Sequence, residues 1–221
     1  MKIDIITIFP EIFDFYFKQS LLGKAQKKGV FSVKAHNLRK FAKDKHKTVD
    51  DKPFGGGRGM ILKVEPLLKA VAALSKLKVK RKVVLFSPRG KKFTQKMATK
   101  WSKLDQLILI CGRYEAIDER IAKYVADEVV SMGDYVLMGG EVAALAVVEA
   151  VARLLPGAVG KSEALIGERI TKTGGFVEYP QYTRPEVVEI NSKKRQTPKV
   201  LLSGNHKEIA AWRAKNSKII L

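Results

Sequence analysis

Twelve residues, Val130–Glu141 (VSMGDYVLMGGE), constrain this chain more than any other stretch. They place glycine at 133, 139 and 140 and an acid at 134, with few groups able to anchor a compact helix. Glycines clustered between apolar residues mark a backbone that turns tightly or lets a ligand come close. A second such segment, Cys111–Arg120 (CGRYEAIDER), follows the apolar run Leu107–Ile110. Strand, glycine turn, polar cluster, strand and glycine turn again is how an α/β protein lines a small-molecule pocket with backbone amides. Neither segment has the Gly-Lys-Ser/Thr end of a Walker loop or the dinucleotide fingerprint at a first strand. The pattern predicts a nucleotide-like ligand held in another way.

With 221 residues, 46% of them hydrophobic, the chain can bury a core in one or two domains. The apolar stretch VAALAVVEAVARLL is interrupted by Glu149 and Arg153, short of the roughly 20 residues a bilayer needs, so no membrane association is expected. The first residues, MKIDIITIFPEIF, do not read as a secretory signal. A single cysteine, Cys111, fits a reducing cytoplasm and reads as a small buried apolar residue rather than a nucleophile. Three scattered histidines, His36, His46 and His206, argue against a zinc site.

Charge is high and segregated. The formal net charge is +20. Lys24–Lys47 carries nine Lys/Arg against one acid, and Ser75–Lys103 carries eleven against none. Asp105–Glu149, which holds both glycine segments, has nine acids against three bases. A basic exterior around a more acidic pocket points to a polyanionic macromolecule outside and a small ligand inside.

Periodicity predicts alternating strands and helices. Ile3–Phe9 reads as a buried strand, Glu11–Lys28 as helical up to Gly29, and Val30–Ala35 as a short strand. Asn37–Met60 is basic, glycine-rich and too long for an idle connector. Glu65–Leu77 is an amphipathic helix, Val83–Phe86 and Leu107–Cys111 are strands around a helix near Thr94–Trp101, and Ile117–Tyr124, Glu128–Met132 and Glu141–Leu155 read as helix, strand and buried helix. These elements predict an α/β fold with a mainly parallel sheet and helices on both faces. The domain limits read as 1–159, a linker at 160–175, and a small helical domain at 176–221, with Asn205 placed to cap a helix over His206–Ala214.

Eight segments in order then carry a family resemblance: TIFPEIF, DKHKTVDDKPFGGGRGM, SPRG, CGRYEAIDER, MGDYVLMGGE, RLLPG, YPQYTRPE and LLSGNH. Together they resemble the bacterial tRNA (guanine-37 N1)-methyltransferases of the knotted (SPOUT) superfamily. The resemblance implies S-adenosyl-L-methionine as methyl donor, bound in a deep C-terminal trefoil knot of the N-terminal domain. It places the donor against Ser87, Pro88 and Gly90, against Gly112, Arg113, Tyr114 and Glu115, and against Met132, Gly133, Asp134, Tyr135, Val136, Leu137, Gly139 and Gly140. It implies a homodimer with shared active sites, a tRNA anticodon stem-loop as partner, and cytoplasmic location. Mg2+ stands as a candidate accessory ion.

Guanine N1 carries a proton at neutral pH, so methylation needs a base there and a cation near the charge that develops at O6. By resemblance the cation is Arg153. The base is Glu168 in IGERI, where the family usually carries an aspartate. His46, Asp50, Asp51, Gly55, Gly56 and Gly57 in the glycine loop, and Ser203, Asn205 and His206 near the end, are the residues the resemblance assigns to substrate. Ala116, Ala143 and Arg58 depart from the family pattern. Alternative readings are a knotted methyltransferase acting on another RNA site and a noncatalytic RNA-binding protein.

Overall fold

The computed structural model describes residues 1–75, 78–159 and 176–220. The chain divides into two compact units, Met1–Ser162 and Glu163–Leu221. The first is built on a five-stranded sheet in the order β2-β1-β6-β5-β8, and all four pairings are parallel. Its strands are β1 (Lys2–Thr7), β2 (Ser32–Asn37), β5 (Arg81–Lys92), β6 (Gln106–Ile110) and β8 (Glu128–Ser131).

Strand alternation decides the two faces. Ile3, Ile5, Val84, Phe86, Leu107 and Leu109 point to one side, where α1 (Glu11–Tyr16), α2 (Ser20–Lys27), α4 (Gln95–Trp101) and α6 (Glu141–Ala152) contribute to one core cluster. Ile6, Val83, Leu85, Ile108 and Ile110 point to the other, against α3 (Val64–Leu74) and α5 (Glu119–Tyr124). The expected α/β class with helices on both faces is what forms. Helix α6 is apolar nearly all round and lies in the core, with Val147, Val148, Val151 and Ala152 fully buried.

A polar cluster is sealed into this frame. Asp4 is fully buried on β1, its carboxylate 2.7 Å from His36 Nε2, 2.8 Å from Gln106 Nε2 and 3.0 Å from Lys2 Nζ. Burial alone would raise the Asp4 carboxyl, but the hydrogen bonds from His36, Gln106 and Lys2 outweigh it and hold it below the ordinary carboxylate range.

Two expectations shift in detail. The helical stretch 11–28 is two helices, because the chain turns at Phe17–Gln19 and Ser20 takes φ 51°. Within the basic loop 37–60 a short β3 (Asp50–Asp51) pairs antiparallel with β4 (Ile61–Leu62), which pairs in parallel with β7 (Ala116–Ile117).

The second unit corrects the expectation of a small helical domain. Its described residues hold one α-helix, α7 (His206–Lys215), a 3-10 turn at Lys199–Leu202, and two antiparallel strand pairs. One pair is β9 (Phe176–Glu178) with β12 (Lys218–Ile220); the other is the hairpin β10 (Val187–Ile190) with β11 (Lys193–Gln196). Asn191 and Ser192 turn that hairpin with φ 53° and 58°, the pair of positive angles that matches strand twist. Neither residue is glycine, so the turn carries no obvious sequence flag. Asn205 caps α7 as expected, accepting from the backbone N–H of Lys207 and Glu208. No described helix is long and apolar enough to cross a membrane.

Candidate functional site

A cavity of about 810 Å3 opens at the carboxyl ends of β6 and β8 and where β5 breaks its pairing after Phe86, the edge at which parallel sheets place their ligands. Three loops build it. The first leaves the sheet after Phe86, and the chain then re-pairs with β8 at Lys91, so that Val130 faces both Phe86 and Lys91. Gly90 permits this return: a Cβ there would sit 2.4 Å from the Val130 nitrogen. The second loop follows β6 from Cys111, and the third runs from Met132 to Gly140.

The loops are held by close backbone contact. Gly140 N–H donates to Gly112 O at 2.9 Å, and a Cβ on Gly140 would meet Cys111 Cα at 2.6 Å. A Cβ on Gly139 would strike the Arg113 guanidinium at 2.4 Å and Glu141 Oε2 at 2.7 Å. At Gly140 the obstacle is backbone and no side chain fits; at Gly139 a side chain would have to displace the Arg113–Glu141 pair.

Beneath the loops lies an ion pair. Glu141 is almost fully buried at the start of α6; its Oε2 accepts from Arg113 Nε at 2.8 Å and its Oε1 from the Thr7 hydroxyl at 2.7 Å. Arg113 also lies 5.0 Å over the Phe9 ring. Glu141 therefore links the end of β1, the second loop and the third. Tyr114 is a non-glycine residue at φ 60°, a strained backbone on the cavity wall.

Of the fifteen residues expected at a donor site, twelve line the cavity: Ser87, Pro88, Gly112, Arg113, Tyr114, Glu115, Met132, Tyr135, Val136, Leu137, Gly139 and Gly140. The other three stand behind or beside it. Gly90 packs on Val130, Gly133 lies under the Tyr135 ring, and Asp134 forms an exposed ion pair with Lys92. The cavity also takes Phe86, Ile117, Val130 and Ala143 as apolar wall, and the pair Arg89–Glu119, 2.5 Å apart, at its rim. Sequence reasoning missed these because nothing in SPRG or DER marks two charges thirty residues apart as partners. Val136, Met138 and Tyr135 are exposed apolar groups on the third loop.

Cys111 is buried behind the second loop. Burial pushes its thiol well above the ordinary range, the nearby Glu141 charge adds to this, and Arg113 offsets part. A thiol so held is a packing residue and no nucleophile at neutral pH.

The residues expected to act on substrate are spread more widely. Arg153 ends α6, roughly 18 Å along the helix from Glu141 at 1.5 Å per residue. It is not among the cavity residues. Glu168 lies outside the described residues. Asp50 and Asp51 form β3, His46 is exposed in the turn before it, and Gly55, Gly56 and Gly57 follow with positive φ. None of these lines the cavity, but their hairpin is tied to its wall: Glu115 N–H donates to Met60 O at 3.0 Å. In the second unit Asn205 is engaged as the helix cap, Ser203 donates to Val200 O, and His206 opens α7. Among the described residues no group of three or more His, Cys, Asp or Glu could hold a metal ion.

A parallel sheet with a glycine-built cavity at its carboxyl edge, inside a strongly basic chain, places this protein in the α/β class with a cavity of the size and lining that suit a small ligand. Comparison with known proteins gives the family. The model described as tRNA (Guanine-1)-methyltransferase TrmD matches residues 1–219, and the chain belongs to that family. It is 49% identical over 217 residues to a tRNA (guanine-N(1)-)-methyltransferase of Dictyoglomus turgidum, covering 98% of this chain and 85% of the relative. Proteins of the same description from Carboxydothermus hydrogenoformans and Clostridium novyi are each 47% identical, over 98% and 100% of this chain and 83% and 88% of theirs.

Proposed function

We propose that this protein transfers a methyl group from S-adenosylmethionine to N1 of guanosine 37, beside the anticodon of tRNA, giving 1-methylguanosine. The observation that carries the reading is the cavity: in a chain of this family, the second and third loops, bound together at Gly112, Gly140 and Glu141, and the first loop, held against β8, make one largely apolar, backbone-lined chamber. Its wall suits an adenosine, with Leu137, Val136, Ile117 and Phe86 as apolar surface and peptide groups as donors and acceptors. When bound there, S-adenosylmethionine supplies an electrophilic methyl group. The protein's own residues must prepare the nucleophile. A carboxylate at Glu168 removes the N1 proton, and the Arg153 guanidinium stabilises negative charge at O6.

We further propose a cytoplasmic homodimer whose sites are completed across the interface. The separation of Arg153 from the cavity along α6 supports this, since one chain's donor loops and cation stand apart. A solution mass near 24.6 kDa with full activity would overturn it. Mg2+ is proposed only as an accessory ion of the reaction.

The deciding experiment is incubation of unmodified tRNA transcripts with labelled donor, followed by mass mapping of nucleosides. The expected product is 1-methylguanosine at position 37; label on ribose, or on another base, would overturn the assignment. Glu168→Gln should lower the single-turnover rate by ~10²–10⁴, the usual loss for a general base, with donor affinity unchanged.

A further inference from the structure

The mechanism gives the aromatic residue of the glycine loop no role. Phe54 is fully exposed. Single exposed apolar side chains are ordinary, but three observations set this one apart.

First, its position is built. Gly56 N–H donates to Pro53 O at 3.3 Å, closing a four-residue turn with Phe54 second and Gly55 third at φ 84°. A type II turn requires that angle of its third residue, and glycine supplies it. The ring is thus carried at the corner of a tight turn. Second, the turn is anchored to the cavity. The strand returning from it, β4, pairs with β7, Asp118 N–H donates to Leu62 O at 3.1 Å, and Gly59 lies against the Glu115 side chain. Third, its flanking charges are Lys52 and Arg58, both exposed, which suit phosphates around an aromatic group.

We infer that Phe54 is a stacking platform for a nucleobase of the RNA substrate, held beside the donor cavity. The inference rests on the RNA-methylating reading above. A base that is to be methylated at N1 must leave its stack, and the neighbours it leaves lose a partner. A phenyl ring replaces that partner without reading sequence, because every base has a π-face. The donor's adenine has its own apolar wall on the third loop, so Phe54 is not needed there.

The test uses the full-length protein, an unmodified tRNA transcript and S-adenosylmethionine. Phe54→Ala should weaken transcript binding by about 5- to 100-fold, the range of one base–aromatic stack. Donor affinity by calorimetry, solution mass and melting temperature should stay at wild-type values. Phe54→Trp should restore binding and Phe54→Leu should not, since an aliphatic chain packs but does not stack. Three results would overturn the inference: unaltered RNA binding by Phe54→Ala, rescue by leucine equal to that by tryptophan, or a loss confined to donor affinity or to dimer mass. A wild-type protein that forms no 1-methylguanosine would instead end the reading on which the inference rests.

Discussion

Glu141 shows how one side chain can matter to a site it does not line. Its carboxylate bonds Thr7 and Arg113 and so fixes two of the three loops on β1. Replacing it with glutamine keeps the shape but leaves the half-buried Arg113 without its counter-charge. Breaking a buried pair in this way costs several kcal/mol, reduced here to about 2–3 because Arg113 keeps some contact with water. Glu141→Gln should therefore lower the urea midpoint and weaken donor binding together; a drop in stability with unchanged donor affinity would assign the pair to folding alone. Asp4 makes a separate prediction. Its folded pKa is depressed, so the unfolded chain binds the proton more readily. Its contribution is present above the unfolded value of about 3.9 and is lost as pH falls through the folded value. Asp4→Asn, which leaves buried donors facing a neutral group, should cost about 3 kcal/mol at pH 7. The difference from wild type in urea titrations should shrink below about pH 3.9; a constant difference across that range would show that the charge is not what counts.

The loops between strands and helices carry the binding surface, and their glycines do different jobs. Gly140 has helical φ, so alanine there would not strain its backbone; the obstacle is Cys111 Cα at 2.6 Å from the added Cβ. Overpacking of this kind costs about 1–3 kcal/mol. Because it would prise the second and third loops apart, Gly140→Ala should raise the donor dissociation constant as well as lower the melting temperature. Gly55 and Gly56 are the reverse case: open space surrounds them, and positive φ alone excludes side chains. Both kinds read alike in the sequence. Glycine clustering flags the second and third cavity loops, because it is visible without knowledge of neighbours; the first, in SPRG, is expected only from the family resemblance. The ion pairs Arg113–Glu141 and Arg89–Glu119 were not legible, since each joins residues about thirty apart whose meeting depends on strand order.

At the level of the molecule the net charge of +20 is of the sign and size that speeds encounter with a polyanion. If the basic stretches 24–47 and 76–103 contact several phosphates, raising salt from ~50 to ~200 mM should weaken tRNA binding by orders of magnitude. A flat salt response would assign those charges to solubility. Local pattern was sufficient for much of the first unit, where apolar runs and helix periodicity act over a few residues and so predict the element types and the α/β class; the Asn205 cap in the second unit is local in the same way. The positions of β4 and β7 and the pairing of β9 with β12 depend on partners far along the chain. Cavity formation belongs with them. The glycines permit close approach anywhere, but it is the parallel order β6-β5-β8 that brings Gly112, Ser87 and Gly140 to one edge, and burial of Glu141 beside Arg113 that makes that arrangement hold.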